Sequence, residues 1–385
     1  MSFVNRCILQ HLRAHPKKCA AAFGLVLLLA ADVVVGTTWL LVARVQSGAH
    51  PEHRVPARVF HHGLRPMSYC ESEVWGQSKN PIFVNSLGFK DKECRTVRAK
   101  CEQRRIVVIG DSFTEGIGIR FEDTFVGLVG SRMASHGIEV LNAGVVSYSP
   151  IIYLRKIRWL IEDIGLEFTE LVVFVDLSDA HDETLYEFDL DGNVTFDPSR
   201  EFWAGPNVFP RNRFTETGVR AALRWTRYSF AGRLWTSAES RRQAAHPIAV
   251  GLKRGAWTHD KAMMRAFAST GLKRGAGHMS ELLALLRSHG IRMSVAVYPW
   301  PEQVVRRERE CHQETFWKAW AEQNDVPFLT FFPAFISDTI EPEATARRYF
   351  IPSDVHWNQA GHRLVAEGLL DFMASESYSA QRWPD

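Results

Sequence analysis

Five short and mainly apolar runs, each followed along the chain by a segment with helical periodicity, constrain this fold more than any other feature. The runs lie at 105–110, 138–144, 170–177, 291–300 and 327–335, and the helical segments at 122–137, 149–165, 259–289, 311–324 and 358–375. Strands that are apolar throughout are buried on both faces, and their alternation with helices is typical of a parallel sheet between two helix layers. The pattern predicts an α/β fold.

Local signals mark the starts of two of these helices. Glu122 and Asp123 are acidic cap candidates for the first helix, which we expect to end at Gly137. Ser149 is placed to cap the second helix, and Pro150 occupies its first helical position, where a missing N–H costs nothing.

The net charge of +3 comes from the N-terminal tail. Four basic residues of this tail come before the first acidic residue of the chain: Arg6, Arg13, Lys17 and Lys18. Without these four, the 46 basic residues fall to 42 against 43 acidic ones. The remaining chain has no global positive charge that would favour nucleic acid as a partner.

Residues 20–43 are almost wholly apolar. As a helix they would extend roughly 36 Å, enough for a bilayer core of roughly 30 Å. We interpret them as an uncleaved transmembrane anchor, with a cleavable signal peptide as the alternative. The basic flank predicts a cytoplasmic tail at 1–19 and export of the rest to the periplasm or the outside. Asp32, within the span, is either a tolerated polar residue or a docking point for another membrane protein.

The exported part divides into a linker and N-terminal extension at 44–103 and an α/β domain at 104–378, with an insertion at about 186–258. Between Arg200 and Arg254 the insertion has eleven basic residues against three acidic ones. Its basic, aromatic helical pattern fits a solvated helix packed on the domain, a lid, or a surface lying on membrane or anionic glycan.

Cysteine usage fits an exported domain. Cys7 and Cys19 fall at the cytoplasmic side, whereas Cys70, Cys94, Cys101 and Cys311 fall outside, where disulfides form. Four cysteines allow three pairings, and the short loop between Cys94 and Cys101 favours that pair. No cysteine or histidine spacing indicates zinc.

The first apolar run ends abruptly in Gly110, Asp111 and Ser112. In parallel sheets the functional site lies at the carboxyl ends of the strands, so Ser112 is a candidate nucleophile. The same three residues are also common in an ordinary strand-to-helix turn. The glycine-rich "GDSFTEGIG" would also suit a phosphate-binding loop, although it lacks the Walker lysine.

The C-terminal stretch "YFIPSDVHWNQAGH" favours catalysis. It places Asp354 two residues before His356, just ahead of the last helix. From the carboxyl edge of the sheet this histidine can reach Ser112 as a base, and the carboxylate can orient its ring. Without Ser112 in the same fold, the simpler interpretation of Asp354 and His356 would be a helix-capping residue and a surface residue.

Two further strand ends offer oxyanion donors. Gly144 follows the second strand and Ser178 the third, and each is equally explained as a turn or cap residue. Asp179, His181 and Asp182 are metal-ligand types, but nothing else in the sequence supports a metal, and we expect neither metal nor cofactor.

These blocks resemble the SGNH (GDSL-like) hydrolases. The resemblance covers roughly 82–375 and implies a three-layer, flavodoxin-like sheet. It implies Ser112 as nucleophile, Asp354 and His356 as its partners, and an oxyanion hole from Ser112, Gly144 and Ser178. "FVNSLGFKDKE" is also similar to a segment that precedes the first block in many bacterial members.

The chain departs from the family pattern at two points. Asp354 precedes His356 by two residues instead of three, a D-x-H-W form similar to the branch with alginate and other exopolysaccharide O-acetyltransferases. The asparagine of the third block is absent, and Ser178 stands nearest to its place.

The sequence thus predicts a membrane-anchored serine esterase acting on O-acyl, chiefly O-acetyl, esters of an envelope glycan. A polysaccharide O-acetyltransferase with the same site, fed by a multi-spanning acyl-donor protein, is one alternative; a non-catalytic glycan-binding or scaffold subunit is another. Tyr298, Trp300 and Trp357 are candidates to line the sugar site. The alternative for "YPWPEQ", which contains Tyr298 and Trp300, is a rigid turn packed on the core.

Overall fold

The computed structural model describes residues 14–47, 53–75, 78–196, 255–336 and 340–375. The chain divides into two units, Met1–His50 with Gly205–Ala245, and Pro51–Ala204 with His246–Asp385. The described part of the first unit is a single helix. All the strands below belong to the second unit.

The described strands of this second unit form one parallel and three small antiparallel sheets. In chain order they are β1 Arg54–Ala57, β2 His61–Leu64, β3 Tyr69–Trp75, β4 Ser78–Val84, β5 Lys90–Asp91, β6 Arg104–Ile109, β7 Ile138–Asn142, β8 Glu170–Val175, β9 Tyr186–Phe188, β10 Val194–Phe196, β11 Arg292–Val297 and β12 Phe328–Thr330.

In chain order, the described α-helices are α1 Pro16–Ser47, α2 Ser112–Glu115, α3 Phe125–Ala134, α4 Pro150–Glu162, α5 Asp179–Asp182, α6 Lys261–Met263, α7 Ser269–Ser288, α8 Pro301–Arg306, α9 His312–Gln323, α10 Phe332–Phe335, α11 Pro342–Tyr349 and α12 Gln359–Ala374. Helix α1 belongs to the first unit, and most of the other described helices follow strands of the large sheet along the chain.

The large sheet is parallel throughout, with the order β12-β11-β8-β6-β7. When these five strands are numbered one to five in chain order and are taken from β7 to β12, the order is 2-1-3-4-5. This is the flavodoxin-like order, which confirms the predicted fold class. Every residue of the central strand β8 is buried, as expected for a strand covered on both faces.

The strand order also fixes the helix layers. The chain moves from β6 outward to β7 and then back across β6 to β8. Because both crossovers are right-handed, the reversal puts α3 and α4 on opposite faces of the sheet. α3 packs against α12, and α4 packs against α7. The reversal leaves a crevice between the carboxyl ends of β6 and β8.

The stretch at 44–103, expected as a linker or irregular layer, contains ordered strands from Arg54 onward. β1 pairs with β2, and β3, β4 and β5 form a three-stranded antiparallel sheet. Lys90 attaches this sheet to the domain, since its buried Nζ donates to the carbonyls of Gly116 and Ile119, each at 2.7 Å. Polar residues in these strands hid the alternation that normally indicates β-structure.

The insertion at 186–258 is described only at its two ends. β9 pairs with β10 at the start, and a 3₁₀ turn, Ala256–Thr258, lies at the end. The predicted basic aromatic helix falls at 218–235, outside the described residues.

Two local predictions need correction. The cap of α3 is Thr124, not the acidic pair, because Glu122 and Asp123 form a 3₁₀ turn just before it. The fifth strand ends at Thr330 instead of continuing to 335, because Pro333 sits in the first turn of α10.

Helix α1 contains the predicted apolar span. Its Pro16–Gly36 segment is long and apolar enough to cross a membrane by length and composition.

The four cysteines of the second unit, Cys70, Cys94, Cys101 and Cys311, are free thiols in the structure. The expected Cys94–Cys101 disulfide is therefore not formed. Cys94 Sγ instead donates to the carbonyl of Ser68 at 3.1 Å.

The two helix caps differ in a way that stability measurements can resolve. Thr124 Oγ1 accepts from Gly127 N at 3.1 Å, whereas Ser149 Oγ is buried at the start of α4 and has no hydrogen-bond partner among the described residues. We expect Thr124→Val to lower the free energy of unfolding by about 1 kcal/mol and Ser149→Ala to leave it unchanged or slightly higher. Denaturant titration of both variants checks this, and an equal loss in the two would contradict the assignment of Thr124 as the working cap.

Candidate active site

Ser112 lies where β6 ends, at the crevice beside β8. Asp111 caps the short helix α2, accepting from Phe113 N, and Ser112 is its first residue. Gly110 is required before it, because a Cβ there would lie 2.2 Å from Thr114 Oγ1 and 2.9 Å from Phe174 O. This tight turn presents the serine side chain at the carboxyl edge of the sheet.

His356 and Asp354 reach this serine from the loop before α12. His356 Nε2 lies 2.7 Å from Ser112 Oγ, and His356 Nδ1 lies 2.5 Å from Asp354 Oδ1. Nδ1–H therefore donates to the carboxylate, and Nε2 is left to accept the serine proton. The structure brings together all three residues that the sequence assigned to this role.

Asp354 is held as a carboxylate by hydrogen bonds. Its Oδ1 also accepts from His356 N at 3.0 Å, and its Oδ2 accepts from Trp75 Nε1 at 2.7 Å. Burial opposes ionisation, but the bonds and charge of His356 and the bond from Trp75 outweigh it and lower the pKa of Asp354 to about 2.

Aromatic rings fix the imidazole of His356. Trp75 meets the ring edge-on at 5.4 Å between centroids, and Phe113 lies at 4.8 Å on another side. The histidine side chain is thus held in line with Ser112 before any substrate binds.

Three buried carboxyl groups lie behind the serine: Asp111, Asp176 and Asp179, with one oxygen of each within 4.8 Å of the others. Asp111 comes from the end of β6, and the other two follow β8. Burial, followed by the negative charge of Asp176, raises the pKa of Asp111 well above its ordinary value. Burial, with the charges of Asp111 and Asp176, does the same for Asp179.

Among the described residues, these three aspartates are the group whose oxygen spacing would suit a metal ion. The sequence had suggested a different set, Asp179, His181 and Asp182. Most of its oxygens already accept hydrogen bonds from the chain. The donors are Ser112 Oγ, Phe113 N, Tyr153 Oη, Asp176 N, Ser178 N and Oγ, Tyr298 Oη and Trp300 Nε1. We therefore treat it as a hydrogen-bonded carboxyl cluster and assign no metal ligands.

Of the expected oxyanion donors, Ser112 N–H is placed at the start of α2, where a helix leaves its first amides unpaired. Gly144 N donates to Asn142 Oδ1 at 3.1 Å. Ser178 differs from expectation, because both its N–H and its hydroxyl donate to Asp176 Oδ2, at 2.9 and 2.5 Å. Its donors thus serve the carboxyl cluster.

The aromatic residues expected to line a sugar site are buried, with Tyr298 and Trp357 at 0% and Trp300 at 3% exposure. Tyr298 Oη donates to Asp111 Oδ1 at 3.2 Å, and Trp300 Nε1 donates to Asp176 Oδ1 at 2.7 Å. Trp357 packs against Phe113 and Tyr298. The structure corrects this expectation: these side chains support the catalytic turn and do not form an open binding surface.

Three residues at the site escaped sequence reasoning. Asp111 and Asp176 each follow a buried strand, a signal that could have paired them across the crevice. Trp75 had no such signal, because it lies in β3, 279 residues from the carboxylate that it binds.

No protein-family model and no curated protein matches the chain. The solved structures contain 57 matching chains. The psychrotrophic esterase EstA from Pseudoalteromonas sp. is 12% identical, with 70% of this chain and 97% of that chain covered and a TM-score of 0.37. Axe2, an acetylxylan esterase from Geobacillus stearothermophilus, is 13% identical, with 73% and 98% covered and a TM-score of 0.38.

A third match, from Desulfitobacterium hafniense DCB-2, is described as belonging to the G-D-S-L family; it is 13% identical, with 70% and 98% covered and a TM-score of 0.37. These likenesses are at the level of the fold, and the present chain has its own Ser–His–Asp arrangement. The assignment of its site rests on that geometry.

Trp75 offers a test of how much the carboxylate depends on its indole donor. Trp75→Phe keeps an aromatic ring beside His356 but removes the bond to Asp354 Oδ2. We expect kcat for an activated ester to fall about tenfold with KM nearly unchanged, the equivalent of one hydrogen bond to a charged group. Trp320→Phe, which loses an indole bond to Ser280 away from the site, is the matched control; equal kinetics in the two variants would contradict this role.

The low pKa of Asp354 predicts a pH-dependent stability. Because the folded pKa of about 2 lies below the ordinary value of 3.8, ionised Asp354 stabilises the fold above about pH 4. This contribution, on the order of 2 kcal/mol, is lost as the pH falls through 2. The free energies of unfolding of wild type and Asp354→Asn should converge by that amount between pH 6 and pH 2, and a gap independent of pH would be inconsistent with the lowered pKa.

Proposed function

We propose that this protein is a serine esterase that removes small acyl groups, chiefly acetyl, from hydroxyls of an envelope glycan. The observation that carries the proposal is the line of hydrogen bonds from Ser112 Oγ through His356 to Asp354. A structural turn has no need of a base and an orienting carboxylate at these distances.

The mechanism follows from this geometry. His356 Nε2 takes the proton of Ser112 as Oγ attacks the ester carbonyl and the Oγ–C bond forms. The N–H of Ser112 donates to the carbonyl oxygen as it becomes negative. The intermediate then expels the sugar oxygen, which takes the proton from Nε2. Water repeats the sequence on the acyl-enzyme, the Oγ–C bond breaks, and Ser112 regains its proton.

Access to the nucleophile supports a small acyl group. Ser112 is 6% exposed and His356 is 8% exposed, and Phe113 and Trp75 flank the imidazole. A buried serine with aromatic neighbours favours a small acyl group, and an acetyl group adds only a single methyl to the carbonyl.

The cellular setting is part of the proposal. The apolar helix at Pro16–Gly36 would anchor the chain, and the basic residues before it and in its first turn would keep its N-terminus in the cytoplasm. The hydrolase unit would then act on a glycan outside the membrane.

The two-residue spacing of Asp354 and His356 favours one second candidate. The same D-x-H-W form resembles exopolysaccharide O-acetyltransferases, in which a sugar hydroxyl takes the place of water. A transferase would use the same acyl-enzyme, fed by a membrane protein that supplies the acyl group.

The test is turnover by the full-length chain in detergent micelles. We expect 4-nitrophenyl acetate to be hydrolysed faster than the decanoate, and Ser112→Ala and His356→Gln each to lower kcat by roughly a thousandfold or more. Ser149→Ala is the matched control and should keep full turnover, because the buried hydroxyl of Ser149 bonds to no group in the part of the chain that the structure describes. Equal rates in wild type and Ser112→Ala would refute the esterase.

Adding a soluble glycan acceptor separates the two candidates. Acetyl transferred to the glycan, seen by mass spectrometry and lost in Ser112→Ala, would identify a transferase. Release to water alone would identify a hydrolase.

A further inference from the structure

Glu115, the last residue of α2, is a fully buried carboxylate that joins three parts of the fold. Its Oε1 and Oε2 accept from Arg54 Nη2 and Nη1 of β1, at 2.5 and 2.9 Å. Its Oε2 also accepts from Val146 N, in the loop after β7, at 2.8 Å. One carboxylate thus links the helix that begins with Ser112 to a strand of the N-terminal extension and to the loop that carries Gly144.

Gly144 lies directly against the same helix. A Cβ on Gly144 would lie 2.6 Å from Thr114 Cβ and 2.9 Å from Glu115 N, so the loop is in close contact with α2. Asn142 Nδ2 donates to Thr114 O at 2.8 Å, and Asn142 Oδ1 accepts from Gly144 N. The distance between the N–H groups of Ser112 and Gly144, two expected oxyanion donors, therefore depends on how this loop packs on α2.

The loop after β7 is held on both sides of its glycine. Lys156 Nζ donates to Ala143 O at 3.1 Å on one side, and His62 Nε2 lies 2.8 Å from Val146 O on the other. Glu115 accepts from the N–H of the same Val146. Of these three contacts, that of Glu115 ties the loop to the helix of the nucleophile.

A buried carboxylate is costly without a cation, and Arg54 supplies one to Glu115. Burial opposes the charge of Arg54, but the charge and hydrogen bonds of Glu115, followed by those of Glu73, outweigh it and raise the pKa of Arg54. Lys90 and Lys156 also face Glu115, although their ammonium groups donate to other acceptors. The two bonds from one guanidinium fix the plane of the carboxylate, so Arg54 determines the direction in which Oε2 points.

We propose that Glu115, held by Arg54, is a positioning residue for the oxyanion site. Its carboxylate sets the loop that carries Gly144 against the helix that begins with Ser112. This rests on the proposed serine esterase function. Gly144 N–H bonds to the neutral amide oxygen of Asn142, and an oxyanion is a stronger, charged acceptor for the same hydrogen. The ion pair itself makes and breaks no bond in the reaction, and the first strand of the N-terminal extension thus contributes to catalysis through position alone.

Kinetics of the full-length chain in detergent micelles test this role. We expect Glu115→Gln and Arg54→Met each to lower kcat for 4-nitrophenyl acetate about tenfold with KM nearly unchanged, because oxyanion donors act on the transition state. Since the two residues act as a unit, the double variant should lose little more than Arg54→Met alone. Arg54→Lys keeps the charge but not the two parallel bonds and should recover part of the loss.

Glu139→Gln is the matched control. Glu139 accepts from Arg105 Nε and Arg95 Nη1, at 2.7 and 2.8 Å. The Arg105 pair joins β6 to β7 near the amino ends of these strands, at the edge of the sheet away from the active site. We expect the melting temperature to fall in this variant as in those of Glu115 and Arg54, but kcat of the folded Glu139→Gln protein should stay within about twofold of wild type.

Hydrogen exchange tests the link without any substrate. The amide of Val146 should be protected in wild type and in Glu139→Gln. In Glu115→Gln and Arg54→Met it should exchange about tenfold faster, measured by mass spectrometry of fragments that cover 141–148. This readout stands even for a chain that hydrolyses no ester, so failure of the esterase proposal and failure of this one are distinguishable.

Three outcomes would overturn the proposal. One is a folded Glu115→Gln variant with the same kcat as Glu139→Gln, which would make the ion pair a stabilising contact only. Another is an exchange rate of the Val146 amide that is the same in all variants. The third is a loss of kcat in the double variant equal to the product of the two single losses, which would show that Glu115 and Arg54 act independently.

Discussion

The reversal of strand order between β6 and β8 is the constraint on which the rest of the structure depends. Two right-handed crossovers that run in opposite directions cannot cover the same strand ends, so a crevice opens there. The turn after β6 presents Ser112 into this crevice, and the turn after β8 presents Asp176 and Asp179. The nucleophile and the buried carboxyls therefore meet because of topology, although about 65 residues separate them along the chain.

Identical carboxyl groups acquire opposite properties within this one site. Asp354 is surrounded by donors, from His356 and Trp75, and its pKa falls to about 2 despite burial. Asp111 faces another acidic group instead of a cation, and its pKa rises. The surroundings thus lower the pKa of one aspartate and raise that of the other, although both are buried.

The N-terminal strands complete the site from outside the parallel sheet. β3 supplies Trp75 to the catalytic carboxylate, and Lys90 holds the carbonyls of Gly116 and Ile119 just after α2. Arg54 pairs with Glu115, the last residue of α2, at 2.5 Å. The contacts of Lys90 and Arg54 hold the C-terminal end of the short helix that begins with Ser112, so a layer that looks like a linker in the sequence helps to position that serine.

The sequence by itself determined the parallel α/β fold and the Ser112, His356 and Asp354 set. Continuous apolar strands report burial on both faces, and short motifs bring their own local geometry. Only the tertiary structure decided what surrounds that set, because such contacts join residues far apart with no shared pattern. Tyr298 and Trp300 seemed suited to a glycan from their type alone, yet they fold inward onto Asp111 and Asp176. The charge state of a carboxyl group depends on burial and neighbours in space, and a linear sequence records neither.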